Sequence, residues 1–223
     1  LSQSIMAMSL NASDLDNDGF TDIYLGTGAG MLTSLFPNIM LKNVGGKRWA
    51  DVTTVSRLGN LQKCHGISMG DIDRDGDIDM YVELGGLFLG DYFWNALYEN
   101  NLDPKLKWVN FKLEGETSNK PAIGATITID YTEAGVAKQI TRTVSSGGSY
   151  GASPMEQHIG LGNADAGDPR RLRRAGPMGA EQRAHQVRRG QREFAGALQR
   201  GAAPGARVHG AGRHVQGEDA NVF

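Results

Sequence analysis

Two stretches of this chain carry carboxylates at a density that only a bound cation makes tolerable. Residues 14–22 read Asp14-Leu15-Asp16-Asn17-Asp18-Gly19-Phe20-Thr21-Asp22, and residues 71–79 read Asp71-Ile72-Asp73-Arg74-Asp75-Gly76-Asp77-Ile78-Asp79. So many like charges within nine residues repel one another strongly unless positive charge sits among them. A hard divalent ion taking roughly six to eight oxygen ligands fits the arrangement, and Ca2+ is the usual one. Carboxylates at loop positions one, three and five point inward around a tight turn. Gly19 and Gly76 stand at position six, where the chain bends sharply and a side chain obstructs it. Position seven offers its backbone carbonyl, so Phe20 and Asp77 serve there whatever their side chains. Position nine closes the shell with Asp22 or Asp79. The expectation is two Ca2+ sites, one of Asp14, Asp16, Asp18, Phe20 and Asp22, the other of Asp71, Asp73, Asp75, Asp77 and Asp79.

The elements around the loops are strands. An EF-hand needs a bidentate Glu at position twelve, where Leu25 and Val82 stand instead. Ile23-Tyr24-Leu25-Gly26 and Met80-Tyr81-Val82-Glu83 are short β-branched or aromatic runs ending near glycines, which predicts strands and a β-hairpin type of calcium loop. The loops lie 57 residues apart, and the same offset maps Tyr24 onto Tyr81, Gly28 onto Gly85, Asn38 onto Asn95 and Asn43 onto Asn100. A gap-free period of that length in strands and turns is the signature of propeller blades. One blade cannot bury both faces alone, so two predict missing neighbours, and the start at Leu1 suggests a chain that begins inside a longer gene. No signal peptide or transmembrane run is visible, which in a chain starting this way does not exclude a signal.

The loops, the Asn38-Ile39-Met40-Leu41-Lys42-Asn43 and Asn95-Ala96-Leu97-Tyr98-Glu99-Asn100 strands, and Trp49-Ala50-Asp51-Val52-Thr53 resemble FG-GAP/VCBS-type repeats. Residues 106–165 resemble the ASPIC/UnbV domain of cartilage acidic protein and bacterial surface proteins. That resemblance is carried by Ser118-Asn119-Lys120-Pro121-Ala122-Ile123-Gly124-Ala125, by Val144-Ser145-Ser146-Gly147-Gly148-Ser149-Tyr150, and by His158-Ile159-Gly160-Leu161-Gly162. The pairing implies partial propeller blades with calcium loops over 1–105 and a companion β domain over 106–165. It also implies a protein of the cell exterior: extracellular, cell-surface or periplasmic.

Hydropathy agrees for the second region. Trp108–Leu113 and Ala125–Tyr131 alternate apolar and polar residues, Gln139–Val144 does so more weakly, and Glu133-Ala134-Gly135 reads as a hairpin turn. The expected fold class is therefore all-β, with a small antiparallel domain after the blades.

Net charge conceals a composition break. The chain carries 23 Lys+Arg against 25 Asp+Glu, net −2, but residues 166–223 hold 11 Arg, no Lys and 5 acids, net +6. A basic arm for nucleic acid is one reading. Codon usage favours another. The tail lacks Ser, Thr, Ile, Tyr, Trp, Lys and Cys, whose codons begin with A or T. Only Met178, Phe194, Asn221 and Phe223 force such a first base. This is how a GC-rich third codon position looks when read in the wrong frame. The tail is accordingly expected to be frame-shifted and disordered, with no nucleic-acid role, and a helix is the local conformation its Ala/Arg-rich Gly179–Arg200 stretch favours.

Catalytic chemistry finds little support. Cys64 precedes His65, but neighbours on a strand point apart, and a single cysteine forms no internal disulfide. His158 reads as structural, and His185, His209 and His214 lie in the suspect tail. No histidine pair has zinc spacing, and the regular Asp spacing suits metal better than a glycosidase pair. The expectation is a non-catalytic adhesion or interaction module whose partner is a protein or glycan. The alternative is an accessory part of a secreted carbohydrate-active enzyme.

Overall fold

The computed structural model describes residues 5–31, 35–102, 106–115, 119–165, 171–175 and 182–189. Its secondary structure is strand and turn, all pairing is antiparallel, and none of its sheets closes into a barrel.

The repeat becomes two successive sheets. In the first, β1 (Ala7–Ser13), β2 (Asp22–Thr27), β3 (Ile39–Val44) and β4 (Arg48–Asp51) lie side by side in chain order. In the second, β5 (Cys64–Gly70), β6 (Asp79–Leu84) and β7 (Ala96–Tyr98) do the same. Each acidic loop is thus the turn of a hairpin, as the strand-forming runs after it predicted. Alternation sets the faces: along β6, Met80, Val82 and Leu84 turn inward while Tyr81 and Glu83 face out. Tyr24 and Met40 of the first sheet join Cys64, Ile67, Met69, Ile78, Met80, Val82 and Leu84 in one core, so the two sheets stack as neighbouring blades. Each such buried aliphatic side chain contributes about 1.5–3 kcal/mol.

The second region pairs two further sheets. The strands are β8 (Lys107–Gly115), β9 (Thr126–Glu133), β10 (Val136–Thr143), β11 (Gln157–Gly162), β12 (Arg171–Ala175) and β13 (Gln182–Arg189). One sheet runs β10-β9-β12 and the other β11-β8-β13. The β9–β10 turn is Ala134-Gly135, both at positive φ (50° and 74°), the pattern of a tight two-residue hairpin. Val109, Phe111 and Leu113 of β8 meet Ile127, Ile129 and Tyr131 of β9 and Ile159 and Leu161 of β11 in a second core. Val109, Phe111 and Leu113 share one face of β8. Trp108 and Asn110 lie on the opposite face, in register with Gly160 and His158 of β11, and Trp108 and His158 there meet Gly76 and Asn17 of the blades.

One expectation is corrected here. Within Gly179–Arg200, Gln182–Arg189 forms a strand beside β8 rather than a helix, because a sheet edge offers hydrogen-bond partners that override a weak helical preference. Arg171–Ala175 likewise adds a strand beside β9 inside the stretch expected to stay unfolded. Residues 190–223, including His209 and His214, lie outside the described residues.

Candidate metal centre

The first loop joins β1 to β2 and gathers Asp14, Asp16 and Asp18, each offering an oxygen within 4.8 Å of the others. Asp14 is buried. Its Oδ2 accepts from the Gly19 N–H (2.9 Å) and the Gly160 N–H (3.1 Å), which leaves Oδ1 for another partner. Asp16 Oδ2 pairs with the Lys42 ammonium, and Asp18 Oδ1 accepts from the Phe20 N–H at 2.8 Å. The Phe20 ring covers Gly46 in the β3–β4 turn, where an added Cβ would come within 2.8 Å of it. Asp22 stands apart from the cluster. Its Oδ2 accepts from the Leu15 N–H (3.2 Å) and its Oδ1 from the Asn43 N–H (2.8 Å).

The second loop joins β5 to β6 and gathers Asp71, Asp73 and Asp79. Asp79 repeats the contacts of Asp22, accepting from the Ile72 N–H (2.8 Å) and the Asn100 N–H (3.0 Å). Asp75, the counterpart of Asp18, lies outside this cluster: it is exposed, and its Oδ1 accepts from the Asp77 N–H at 3.0 Å. At Asp77 the expectation of an indifferent side chain fails. Its carboxylate is buried, and Oδ2 accepts from the Leu102 N–H at 2.9 Å, tying the loop to the exit from the second blade.

Burial dominates the electrostatics of the loops. Burial, reinforced by Asp18 and Asp16, raises the Asp14 carboxyl to about 7, although Arg142 opposes the shift. Burial raises Asp22 to about 6, and raises Asp77 to about 7 with help from Asp75 and Asp79. Asp14 Oδ1, Asp16 Oδ1, Asp71 Oδ1 and Asp77 Oδ1 are buried without a hydrogen-bond partner among the described residues. Dehydrated carboxylate oxygens without donors are costly, and a divalent cation is the partner that suits them. The donor set therefore fits Ca2+ at both loops.

The asparagines that the sequence places at the repeat offset take a hydrogen-bonding role that their spacing did not reveal. Asn38 Oδ1 accepts from the Thr27 N–H (2.9 Å) and Asn95 Oδ1 from the Leu84 N–H (3.1 Å). Asn43 Nδ2 donates to the Thr21 carbonyl and Asn100 Nδ2 to the Ile78 carbonyl, both at 3.3 Å. Asparagine is thus the tie between loop and third strand in both blades, which accounts for the spaced Asn pair.

Cys64 and His158 are both packed into the fold. Cys64 is buried, and burial pushes its thiol up, away from the reactive thiolate. His158 stacks on Trp108 with centroids 5.3 Å apart, and burial lowers it to about 4, so it is neutral.

Stacked antiparallel sheets with acidic hairpin loops, followed by a small two-sheet domain, define a repeat-bearing β protein. Compared with known families, residues 14–82 match the FG-GAP-like repeat and residues 115–192 match ASPIC and UnbV. The chain thus carries an FG-GAP-like repeat followed by an ASPIC/UnbV domain. The second match begins and ends later than the 106–165 span expected from the sequence, and it takes in β12 and β13. A search of curated proteins finds no match to the chain.

Proposed function

We infer that each acidic loop holds one Ca2+ as a structural ion, and that the chain is a non-catalytic binding or adhesion module of the cell exterior. The buried, partnerless oxygens of Asp14, Asp16 and Asp71 carry this reading. Bound calcium supplies the positive charge that lets the clustered carboxylates stay ionised at neutral pH. Around it, Asp14, Asp16 and Asp18 hold the first site, with the Phe20 carbonyl and Asp22 completing the shell. Asp71, Asp73 and Asp79 hold the second, with Asp75 and the Asp77 carbonyl.

A binding role is supported by the surface of the second blade. Between β6 and β7, Leu87, Leu89, Tyr92 and Trp94 are 79–90% exposed, a concentration of apolar surface that typifies interaction sites. Their loop is braced from below by the buried Lys63–Asp91 ion pair (2.5 Å). The partner class is protein or glycan, and no helix among the described residues is long and apolar enough to cross a membrane. Calcium calorimetry of the full chain tests the metal assignment. Heat with a stoichiometry near two supports it, and absence of both heat and thermal stabilisation rejects it.

A further inference from the structure

Four groups of the second domain converge on the first acidic loop. The Gly160 N–H donates to Asp14 Oδ2 (3.1 Å), and the Gly162 N–H donates to the Asn17 carbonyl (2.8 Å). His158 Nε2 lies 2.6 Å from Asn17 Oδ1, and Arg142 Nη2 donates to the Gly19 carbonyl at 2.7 Å. Contact is close enough to demand glycine, since a Cβ on Gly160 would lie 2.4 Å from the Asn17 backbone. The Gly160-Leu161-Gly162 motif thus has a physical reason: Leu161 enters the core while its two neighbours clasp the loop.

Asn17 is the hub. It sits in the left-handed region (φ 56°), and its Nδ2 donates to the Gly76 carbonyl of the second loop at 2.9 Å. Because that bond fixes the amide orientation, Oδ1 faces His158 as an acceptor, and neutral His158 carries its proton on Nε2. One side chain therefore links both acidic loops to the second domain. Its repeat counterpart is Arg74, so the amide that makes these two bonds is a feature of the first loop.

We propose that the first metal site is an interdomain lock: Gly160, Gly162, His158 and Arg142 position the loop for its cation, and the bound cation in turn holds the second domain in place. The inference rests on the calcium reading above. Ordering Asp14 and the loop backbone is part of the cost of forming the site, and here the second domain has already met it. Coupling of this kind is reciprocal, so whatever weakens docking weakens calcium at the first site by the same factor. The second domain reaches the second loop differently, through the Trp108 indole packed on Gly76 and through the Asn17–Gly76 bond.

The test uses the full chain in two backgrounds. Asp73→Ala leaves the first site for titration with CaCl2, and Asp16→Ala leaves the second. Asn17→Gly retains the positive φ but deletes the hub. It is expected to lower affinity at the first site about tenfold, the usual range for groups that orient a ligand, and to change the second site less, through the lost Gly76 bond. His158→Phe, which keeps the stack on Trp108, acts in the same direction. Hydrogen exchange supplies a readout that a purely structural role does not move. The Gly160 and Gly162 amides gain protection with calcium in the wild type and fail to gain it in Asp16→Ala. If calcium binds yet those amides are equally protected in chelator, and Asn17→Gly leaves the first site unchanged, the lock is wrong while the calcium reading stands. If no calcium binds, both fall.

Discussion

The backbone N–H of Asn43 donates to the Asp22 carboxylate over 2.8 Å, joining the end of the first acidic loop to the third strand of its blade. Asn100 and Asp79 repeat the bond at 3.0 Å in the second blade. A residue expected to serve the metal therefore also fastens the hairpin, and the two roles separate on mutation. In chelator, Asp22→Ala strands two backbone donors and costs about 3 kcal/mol of stability. Asp18→Ala, which removes one of the repelling carboxylates, costs much less in chelator but abolishes calcium stabilisation at that site. Denaturant melts of both variants with and without calcium distinguish them, and equal losses in chelator would contradict the assignment.

Asp14 makes the metal-free protein sensitive to pH. An unfolded Asp ionises near 3.9, whereas folded Asp14 keeps its proton to about 7, so between those values the unfolded state binds fewer protons. Stability from this group is accordingly lost as pH rises from about 4 to about 7. Asp14→Asn removes the penalty: in chelator at pH 8 its Tm is expected to exceed wild type by about 2–4 °C, with the difference vanishing near pH 4. Calcium binding to the wild type at pH 6 should release protons, read as a dependence of binding heat on the buffer's ionisation enthalpy.

Burial ranks the two tying asparagines. Asn38 is fully buried and Asn95 exposed, although both accept from a β-strand N–H. Asn38→Ala is expected to cost about 2 kcal/mol and Asn95→Ala less than half of that. Thermal melts of the two variants in saturating calcium check the order.

The features that were legible in the sequence are local ones. Asp spacing, Gly19 and Gly76, the strand runs after each loop and the Ala134-Gly135 turn are all written within a few residues. Their structural outcomes follow from loop chemistry and period-two alternation. The clasp of Gly160 and His158 on the first loop was not legible, because it joins residues more than a hundred positions apart and each looks ordinary in its own strand. Nor was the double duty of Asp22 and Asp79, since a ninth-position carboxylate reads as a ligand whether or not it also holds backbone. Asp77 was misjudged for the opposite reason: in the other repeat the position is Phe20, whose exposed ring gives no hint of a buried acceptor.

Reading frame decides what the third strand of each second-domain sheet is. Backbone at Arg171–Ala175 and Gln182–Arg189 fills those places with an Arg-rich sequence whose residues can all be encoded with G or C first. Resequencing the gene is expected to find a one-base insertion or deletion near codons 163–170. An intact frame would make the strands seen here the native ones and remove the case for a misread tail.

Calorimetric titration of the full chain with CaCl2 at pH 7.5 tests the central claim most directly. The account predicts about two ions per chain with dissociation constants of roughly 10⁻⁵ to 10⁻³ M, and one ion for either Asp16→Ala or Asp73→Ala. It predicts none for the double variant, and a Tm that rises with calcium in the wild type. Absence of binding heat together with an unchanged Tm, or two ions persisting in the double variant, would contradict it.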